Sequence, residues 1–197
     1  MGIVALIPVK SLDHGKSRLA ESLDLAHRIQ LTEETLRRLL HVLRGERRIA
    51  RIVVVTSDVR VMAWLSGRGA DVIIESGSGL NEALAEARAD IGACEALLVL
   101  PADVAAVSPH DVAGLLDAAE SMHGDCVVIA PDRHGHGTNA LLLRPPGVID
   151  FAFGANSRQL HADAARRVEA HVREFFSDSL ALDLDLPEDV ELYSRQW

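Results

Sequence analysis

The stretch IVALIPV at residues 3–9 decides the fold class of this chain. It is a short, continuous apolar run, and such runs are typical of parallel strands that are buried on both faces of a sheet. Similar runs recur along the chain, and amphipathic stretches separate them; at residues 31–43, for example, leucines recur every three or four positions. This alternation predicts a doubly wound α/β fold, a three-layer α/β/α sandwich with a mostly parallel sheet. We expect one domain that spans residues 1–197.

The expected elements follow the same rules along the whole chain. Strands are predicted at residues 3–9, 51–56, 71–75, 96–100, 125–130 and 138–144, and a final strand is predicted to lead into residues 182–185. Helices are predicted at residues 31–43, 59–67, 80–91 and 158–167, with two more beginning after Ser108 and at Pro187. In open α/β sheets the ligand binds beyond the carboxyl ends of the strands, so residues that follow the apolar runs are the candidates for function.

Composition excludes several classes of protein. The formal net charge of −9 disfavours attraction to nucleic acid or to an anionic membrane. Aromatic residues make up 4% of the chain, too few for the stacking platforms that bind single-stranded nucleic acid. No apolar run approaches the length of about 20 residues that spans a bilayer. With no sign of a signal peptide either, we expect a cytoplasmic protein without nucleic-acid or membrane partners.

A basic loop follows the first predicted strand. Lys10, Lys16 and Arg18 lie close together there, beside Gly15. The sequence Gly-Lys-Ser at residues 15–17 is not a Walker A motif, because that motif needs a glycine where Lys10 stands. The loop either binds a polyphosphate through its amides and cations or is a solvated basic loop.

A glycine-rich turn, GSGLNE at residues 77–82, lies between a predicted strand and a helix. Glu82 replaces the third glycine of a dinucleotide-binding fingerprint, so that motif is incomplete. The glycines permit close approach of a ligand, and Asn81 offers a donor and an acceptor to a base or a ribose. The alternative is a tight turn with a polar helix cap.

Carboxylates follow two further apolar segments. Asp103 comes shortly after the strand at residues 96–100, where it would serve as a magnesium ligand or, alternatively, cap a turn. Asp183 and Asp185 would point the same way from an extended segment and would repel each other unless a cation lies between them. The alternative for this pair is a solvent-facing strand edge.

Short motifs in a fixed order resemble one family over nearly the whole chain. They are PVK at residues 8–10, KSRL at 16–19, GLN at 79–81, PAD at 101–103, GTNA at 137–140, FG at 153–154 with Ser157 and His161, and DLD at 183–185 followed by PED at 187–189. In this order they are similar to the 2-phospho-L-lactate guanylyltransferases, including the phosphoenolpyruvate guanylyltransferases, of deazaflavin coenzyme biosynthesis.

The resemblance implies a Rossmann-like nucleotidyltransferase fold with a mixed sheet. It also implies transfer of GMP from GTP to a small phosphorylated carboxylic acid, with release of pyrophosphate and with Mg²⁺ as the cofactor. The implied metal ligands are Asp103, Asp183 and Asp185, and the implied contacts to the triphosphate are Lys10, Lys16 and Arg18. The acceptor would contact Thr138, Gly154 and Ser157, and the nucleotide would contact Gly79, Leu80, Asn81, Pro101 and Ala102. Asp103 and the three cations are the expected catalytic residues.

Several questions stay open at this point. The acceptor is phosphoenolpyruvate or 2-phospho-L-lactate, with 3-phosphoglycerate as an alternative. A molybdenum-cofactor or sugar-phosphate nucleotidyltransferase and a non-catalytic nucleotide-binding protein are the rival interpretations. His161 either contacts a ligand or is satisfied within the protein. The oligomeric state is open, a homodimer included.

Overall fold

The computed structural model describes residues 2–12, 19, 23–77, 79–184 and 186–196. Its strands are β1 (Ile3–Pro8), β2 (Ile49–Thr56), β3 (Asp71–Ile74), β4 (Ala96–Val99), β5 (Cys126–Pro131), β6 (Thr138–Arg144) and β7 (His171–Glu174). Its helices are α1 (Leu25–Gly45), α2 (Val59–Leu65), α3 (Leu80–Ile91), α4 (Pro109–Glu120), α5 (Ser157–Arg167), α6 (Asp178–Ala181) and α7 (Pro187–Gln196). Strands and helices alternate through most of the chain, as predicted.

The strands form one seven-stranded sheet with the order β3-β2-β1-β4-β6-β5-β7. Strand β6 runs antiparallel to its neighbours β4 and β5, and the other pairs are parallel. The predicted mostly parallel, mixed sheet is therefore confirmed. Because β6 is reversed, its first residue, Thr138, lies at the same edge of the sheet as the carboxyl ends of β1 and β4.

Apolar side chains cover both faces of the sheet. In β1, Ala5 and Ile7 join a cluster on the face covered by α1 and α4, whereas Val4 and Leu6 join the cluster covered by α3 and α5. Successive residues of a strand point to opposite faces, so a strand buried on both sides needs the unbroken apolar run that the sequence shows. The result is the three-layer sandwich that was predicted. Among the described residues, no helix combines the length and the apolar character that crossing a bilayer requires.

The largest differences from the prediction are at the start of α1 and after β7, where the unpredicted helix α6 follows. Helix α1 begins at Leu25 rather than at residue 31, because the Asp24 carboxylate accepts a hydrogen bond from the His27 amide at 2.8 Å and caps the helix there. The final strand, β7, ends at Glu174 and does not run into residues 182–185, because α6 intervenes. That short helix is capped by Ser177, whose hydroxyl also contacts the carboxylate of Asp111.

Candidate active site

A cavity of about 300 Å³ opens at the carboxyl edge of the sheet. It lies between the segments that follow β1 and β4, the start of β6 and the first turn of α5. Nine of the residues singled out from the sequence line it: Lys10, Leu80, Pro101, Ala102, Asp103, Thr138, Gly154, Ser157 and Asp183. Gly79 and Asn81, on either side of Leu80 in the chain, are not among the lining residues. Lys16, Arg18 and Asp185 lie outside the described residues, so their predicted roles stay predictions.

The pocket brings together two carboxylates that are remote in the chain. Asp103 follows β4 and Asp183 follows α6, and both line the cavity. The main chains of the two segments are joined directly, because the amide of Leu184 donates a hydrogen bond to the carbonyl oxygen of Asp103 at 3.1 Å. Asp103 and Asp183 are thus held on the same side of the molecule.

Asn139 holds the segment that carries Asp183, a function that the sequence analysis did not identify. Its side chain is buried. The Nδ2 amide donates to the carbonyl oxygens of Leu180 at 2.9 Å and Ala181 at 3.2 Å, and it lies 3.5 Å from Oδ1 of Asp183. The signal was present in the sequence, since Asn139 belongs to the GTNA motif, but its partners are main-chain atoms far along the chain.

The charges that line the pocket favour a divalent cation. Asp103, Asp132 and Asp183 contribute three carboxylates, and among the described lining residues Lys10 is the basic one. Asp132 also organises the turn before β6, because its Oδ1 accepts hydrogen bonds from the amides of His136 at 2.7 Å and Gly137 at 2.9 Å. The part of the chain that the structure describes contains no group of three or more potential metal ligands. A pair of carboxylates remains in Asp103 and Asp183, and Mg²⁺ is commonly bound by one or two carboxylates together with waters and substrate phosphates.

The loop that carries Lys10 is anchored by Asp58, a residue that the sequence analysis did not select. Oδ2 of Asp58 accepts hydrogen bonds from the Leu12 amide at 2.8 Å and from the Ser11 hydroxyl at 3.3 Å. The Arg60 guanidinium bonds both carboxylate oxygens of Asp58, and this contact, with the amide donors, holds the pKa of Asp58 well below its usual range. A charged and buried carboxylate therefore fixes the beginning of the basic loop beside the pocket.

Asn81 fixes a second loop at the pocket. Its Oδ1 accepts a hydrogen bond from the Phe153 amide at 2.8 Å, and its Nδ2 donates to the Phe153 carbonyl at 3.1 Å. The amide that was predicted to contact the nucleotide is thus bonded to the main chain of residue 153. Gly154 follows with a φ of +127°, a conformation that favours glycine. Asn81 consequently sets the position at which Gly154 meets the cavity.

His161 lies beneath the same loop and is fully buried. Its Nδ1 is 3.1 Å from the hydroxyl of Thr138, and its Nε2 accepts a hydrogen bond from the Ala152 amide at 3.0 Å. Burial lowers the pKa of the imidazole to about 4, so the ring is neutral near pH 7. Both nitrogens are bonded within the protein, which favours the interpretation that His161 is satisfied within the protein over the one in which it contacts a ligand.

Two helices begin at the pocket. Leu80, the first residue of α3, and Ser157, the first residue of α5, both line the cavity. In the described structure neither N-terminus has a side-chain cap hydrogen bond, whereas α1, α2, α4 and α6 are capped by side chains. The positive end of a helix dipole favours anions, so both ends suit phosphate or carboxylate groups. At α5, however, the amides of Ser157 and Arg158 already donate to the carbonyl oxygens of Gly154 and His136.

Comparison with solved structures agrees with this architecture. The structure of CMP:2-keto-3-deoxy-manno-octonic acid synthetase complexed with CTP superposes with a TM-score of 0.67, covers 100% of both chains and is 14% identical in sequence. The likeness shows a shared Rossmann-like fold.

Sequence comparison gives the family. A family model described as "Guanylyl transferase CofC like" matches residues 3–193, and the chain belongs to that family. A phosphoenolpyruvate guanylyltransferase of Rubrobacter xylanophilus is 45% identical over 193 residues, which cover 96% of this chain and 92% of the relative. A phosphoenolpyruvate guanylyltransferase of Sphaerobacter thermophilus is 36% identical over 193 residues, with 97% and 92% covered. The fold, the family and these relatives define the protein as a nucleotidyltransferase. The predicted guanylyltransferase activity is thereby confirmed.

Proposed function

We propose that this guanylyltransferase transfers GMP from GTP to phosphoenolpyruvate, with Mg²⁺ as its cofactor. The observation that carries the proposal is the meeting of Asp103 and Asp183 at one pocket that Lys10 also lines. The choice of phosphoenolpyruvate is supported by the names of the relatives at 45% and 36% identity. The product would serve the biosynthesis of a deazaflavin coenzyme, as the sequence resemblance implies.

The reaction balances as a single displacement at phosphorus. A phosphate oxygen of phosphoenolpyruvate attacks the α-phosphorus of GTP, the bond between the α-phosphorus and the bridging oxygen breaks, and pyrophosphate leaves with the electron pair. Both reactants are anions, so charge repulsion and alignment are the main obstacles. The attacking phosphate is already ionised, and the reaction therefore needs no general base.

The residues of the pocket divide this work between two sides. Asp103 and Asp183 would hold Mg²⁺, which when bound neutralises charge on the triphosphate. Lys10 would bind the triphosphate from the other side, on the loop that Asp58 anchors. Thr138, Gly154 and Ser157 would bind the acceptor's phosphate and carboxylate, at the N-terminus of α5.

The remaining site residues extend the same proposal. Leu80, Pro101 and Ala102 line the pocket and would contact the nucleotide, with Gly79 and Asn81 shaping its edge. Lys16, Arg18 and Asp185 keep their predicted roles at the triphosphate and the metal. A cytoplasmic location and the lack of nucleic-acid and membrane partners also stay predictions, supported by the net charge of −9.

The test is a coupled assay of pyrophosphate release with purified protein, GTP and Mg²⁺. Phosphoenolpyruvate, 2-phospho-L-lactate, 3-phosphoglycerate and a sugar phosphate are compared as acceptors, and ATP and CTP compete with GTP. We expect the fastest release with phosphoenolpyruvate and GTP, and a product whose mass is that of the guanosine diphosphate diester. Release with the sugar phosphate alone, or no release with any phosphoacid, would contradict the proposal.

A further inference from the structure

His161 connects three parts of the acceptor side of the pocket. Its Nδ1 faces the hydroxyl of Thr138 at the start of β6, and its Nε2 bonds the amide of Ala152. The ring also packs edge-on against Phe153, with 5.0 Å between ring centroids and an interplanar angle of 72°. Ser157 lies one helical turn earlier on the same helix, α5.

The hydrogen bonds fix the protonation of the imidazole. A main-chain amide can only donate, so Nε2 must present its lone pair to Ala152. In a neutral ring the proton is then on Nδ1, which donates to the hydroxyl oxygen of Thr138 at 3.1 Å. Full burial of the ring, among uncharged partners, favours this neutral form.

This hydrogen bond determines the direction in which the Thr138 hydroxyl can donate its proton. Because the oxygen already accepts from His161, its own proton is left to donate elsewhere. Among the described residues the hydroxyl has no other hydrogen-bond partner, and Thr138 lines the pocket. The hydroxyl is therefore prepared to donate to an anion in the cavity.

We propose that His161 is a positioning residue that commits the Thr138 hydroxyl to donate to the acceptor's phosphate or carboxylate and holds the loop at residues 152–154 against it. This inference rests on the proposed function and adds to it. Asn81 holds the same loop from the other side through Phe153, so the loop is fixed by two buried or half-buried side chains. His161 itself contacts no substrate.

A matched pair of variants separates the two bonds of the ring. In H161N the side-chain amide nitrogen takes the place of Nδ1 and keeps a donor for Thr138. In H161Q the amide oxygen takes the place of Nε2, which keeps the acceptor for Ala152 and removes the donor. We expect H161Q to raise the KM for phosphoenolpyruvate by about tenfold, the loss of roughly one hydrogen bond to a charged group, and H161N to raise it less. The KM for GTP should stay within about twofold of the parent value in both.

A double-mutant cycle with T138V tests whether His161 acts through Thr138. T138V removes the hydroxyl and is expected to raise the KM for phosphoenolpyruvate about as much as H161Q does. Adding H161Q to T138V should then raise it no further. Additive effects, an equal rise in the KM for GTP, or an H161N variant as impaired as H161Q would overturn the inference.

A measurement on the unmodified protein does not depend on the folding of any variant. Long-range ¹H–¹⁵N correlation spectra distinguish the tautomers of a histidine ring, and we expect a proton on Nδ1 of His161. A proton on Nε2 would overturn the inference. The parent's own turnover separates the two proposals: pyrophosphate release with phosphoenolpyruvate together with an additive cycle removes only the role of His161, whereas no release removes the proposed function as well.

Discussion

The Nδ2 atom of Asn139 donates a hydrogen bond to the carbonyl oxygen of Leu180 at 2.9 Å. With a second bond to Ala181, it ties β6 to the segment that presents Asp183 to the pocket. Asn139 is 7% exposed, so its amide satisfies main-chain carbonyls that water reaches poorly. Asp183 is thus placed by a side chain that is not itself expected to bind the metal.

Asn139→Ala is therefore expected to weaken the use of magnesium. Residues that orient metal ligands typically contribute about 10–100-fold to metal affinity or activity. We expect the Mg²⁺ concentration for half-maximal rate to rise within that range, measured by pyrophosphate release at saturating GTP. Asn81→Ala is the matched control, because its amide holds Phe153 and should alter the KM for the phosphoacid. Equal Mg²⁺ dependence in the two variants would argue against this role.

Asp58 gives a prediction for acid stability. Its carboxyl has a pKa below the ordinary 3.8, chiefly because Arg60 bonds the charged form, so on acidification the unfolded chain takes up the proton first. The stabilisation that the charged Asp58 carboxylate contributes is fully present above pH 3.8. It is lost as the pH falls from 3.8 towards the lower pKa of the folded protein. In Asp58→Asn this part of the pH dependence should be missing from the free energy of unfolding, measured with urea. Asp58→Ala also removes the α2 cap and should cost about 1 kcal/mol more. Identical pH profiles for parent and Asp58→Asn would contradict the assignment.

The lowered pKa of His161 predicts a second effect of pH on the free energy of unfolding, at a higher pH than the effect of Asp58. Burial lowers the pKa of the ring from 6.5 to about 4. Between these two pH values the imidazole is protonated in the unfolded chain and neutral in the folded protein. The free energy of unfolding should consequently fall as the pH is lowered from 6.5 towards 4. The H161N variant should lack this component. Equal slopes for the parent and H161N would contradict this prediction.

Gly154 tests the geometry of the loop at the acceptor side. An added Cβ would meet no atom within 4 Å, but the φ of +127° is unfavourable for any other residue. Gly154→Ala should therefore cost about 1–3 kcal/mol of stability or shift the loop, with a higher KM for the phosphoacid. Gly147→Ala is the control, because its Cβ would also meet nothing within 4 Å and its φ lies outside the left-handed region. A thermal unfolding curve and a KM measurement on both variants decide the point.

The fold was predictable because its strands are buried on both faces. Continuous apolar runs such as residues 3–9 have few other uses in a chain of this composition, and the alternation with amphipathic helices then limits the topology. Strand β7 was less visible, since its four residues, HVRE, alternate between exposed and half-buried positions at the edge of the sheet. A short edge strand with charged residues leaves little apolar pattern to detect.

The charged residues of the candidate site were predictable from the sequence, but most of the hydrogen bonds that position them were not. Asp103 and Asp183 stood out as carboxylates after apolar segments, but nothing local to either one indicates that Leu184 bonds the carbonyl of Asp103. Asn139 belongs to the GTNA motif, but its role, like that of Asp58, was not predicted, because the partners of both side chains lie about 40 or more residues away. Hydrogen bonds to remote main-chain atoms leave no periodic trace in a sequence.

The proposed reaction requires that Asp103 and Asp183 hold one divalent cation together. The direct measurement uses electron paramagnetic resonance to detect Mn²⁺ binding in the presence of GTP. The kcat in Mg²⁺ is measured in parallel. The account predicts that Asp103→Asn and Asp183→Asn each abolish the tight Mn²⁺ site and lower kcat by about 100-fold or more, while both variants unfold like the parent. Asp150→Asn, whose side chain is 98% exposed outside the pocket, should change neither quantity. Undiminished turnover in either pocket variant would contradict the account.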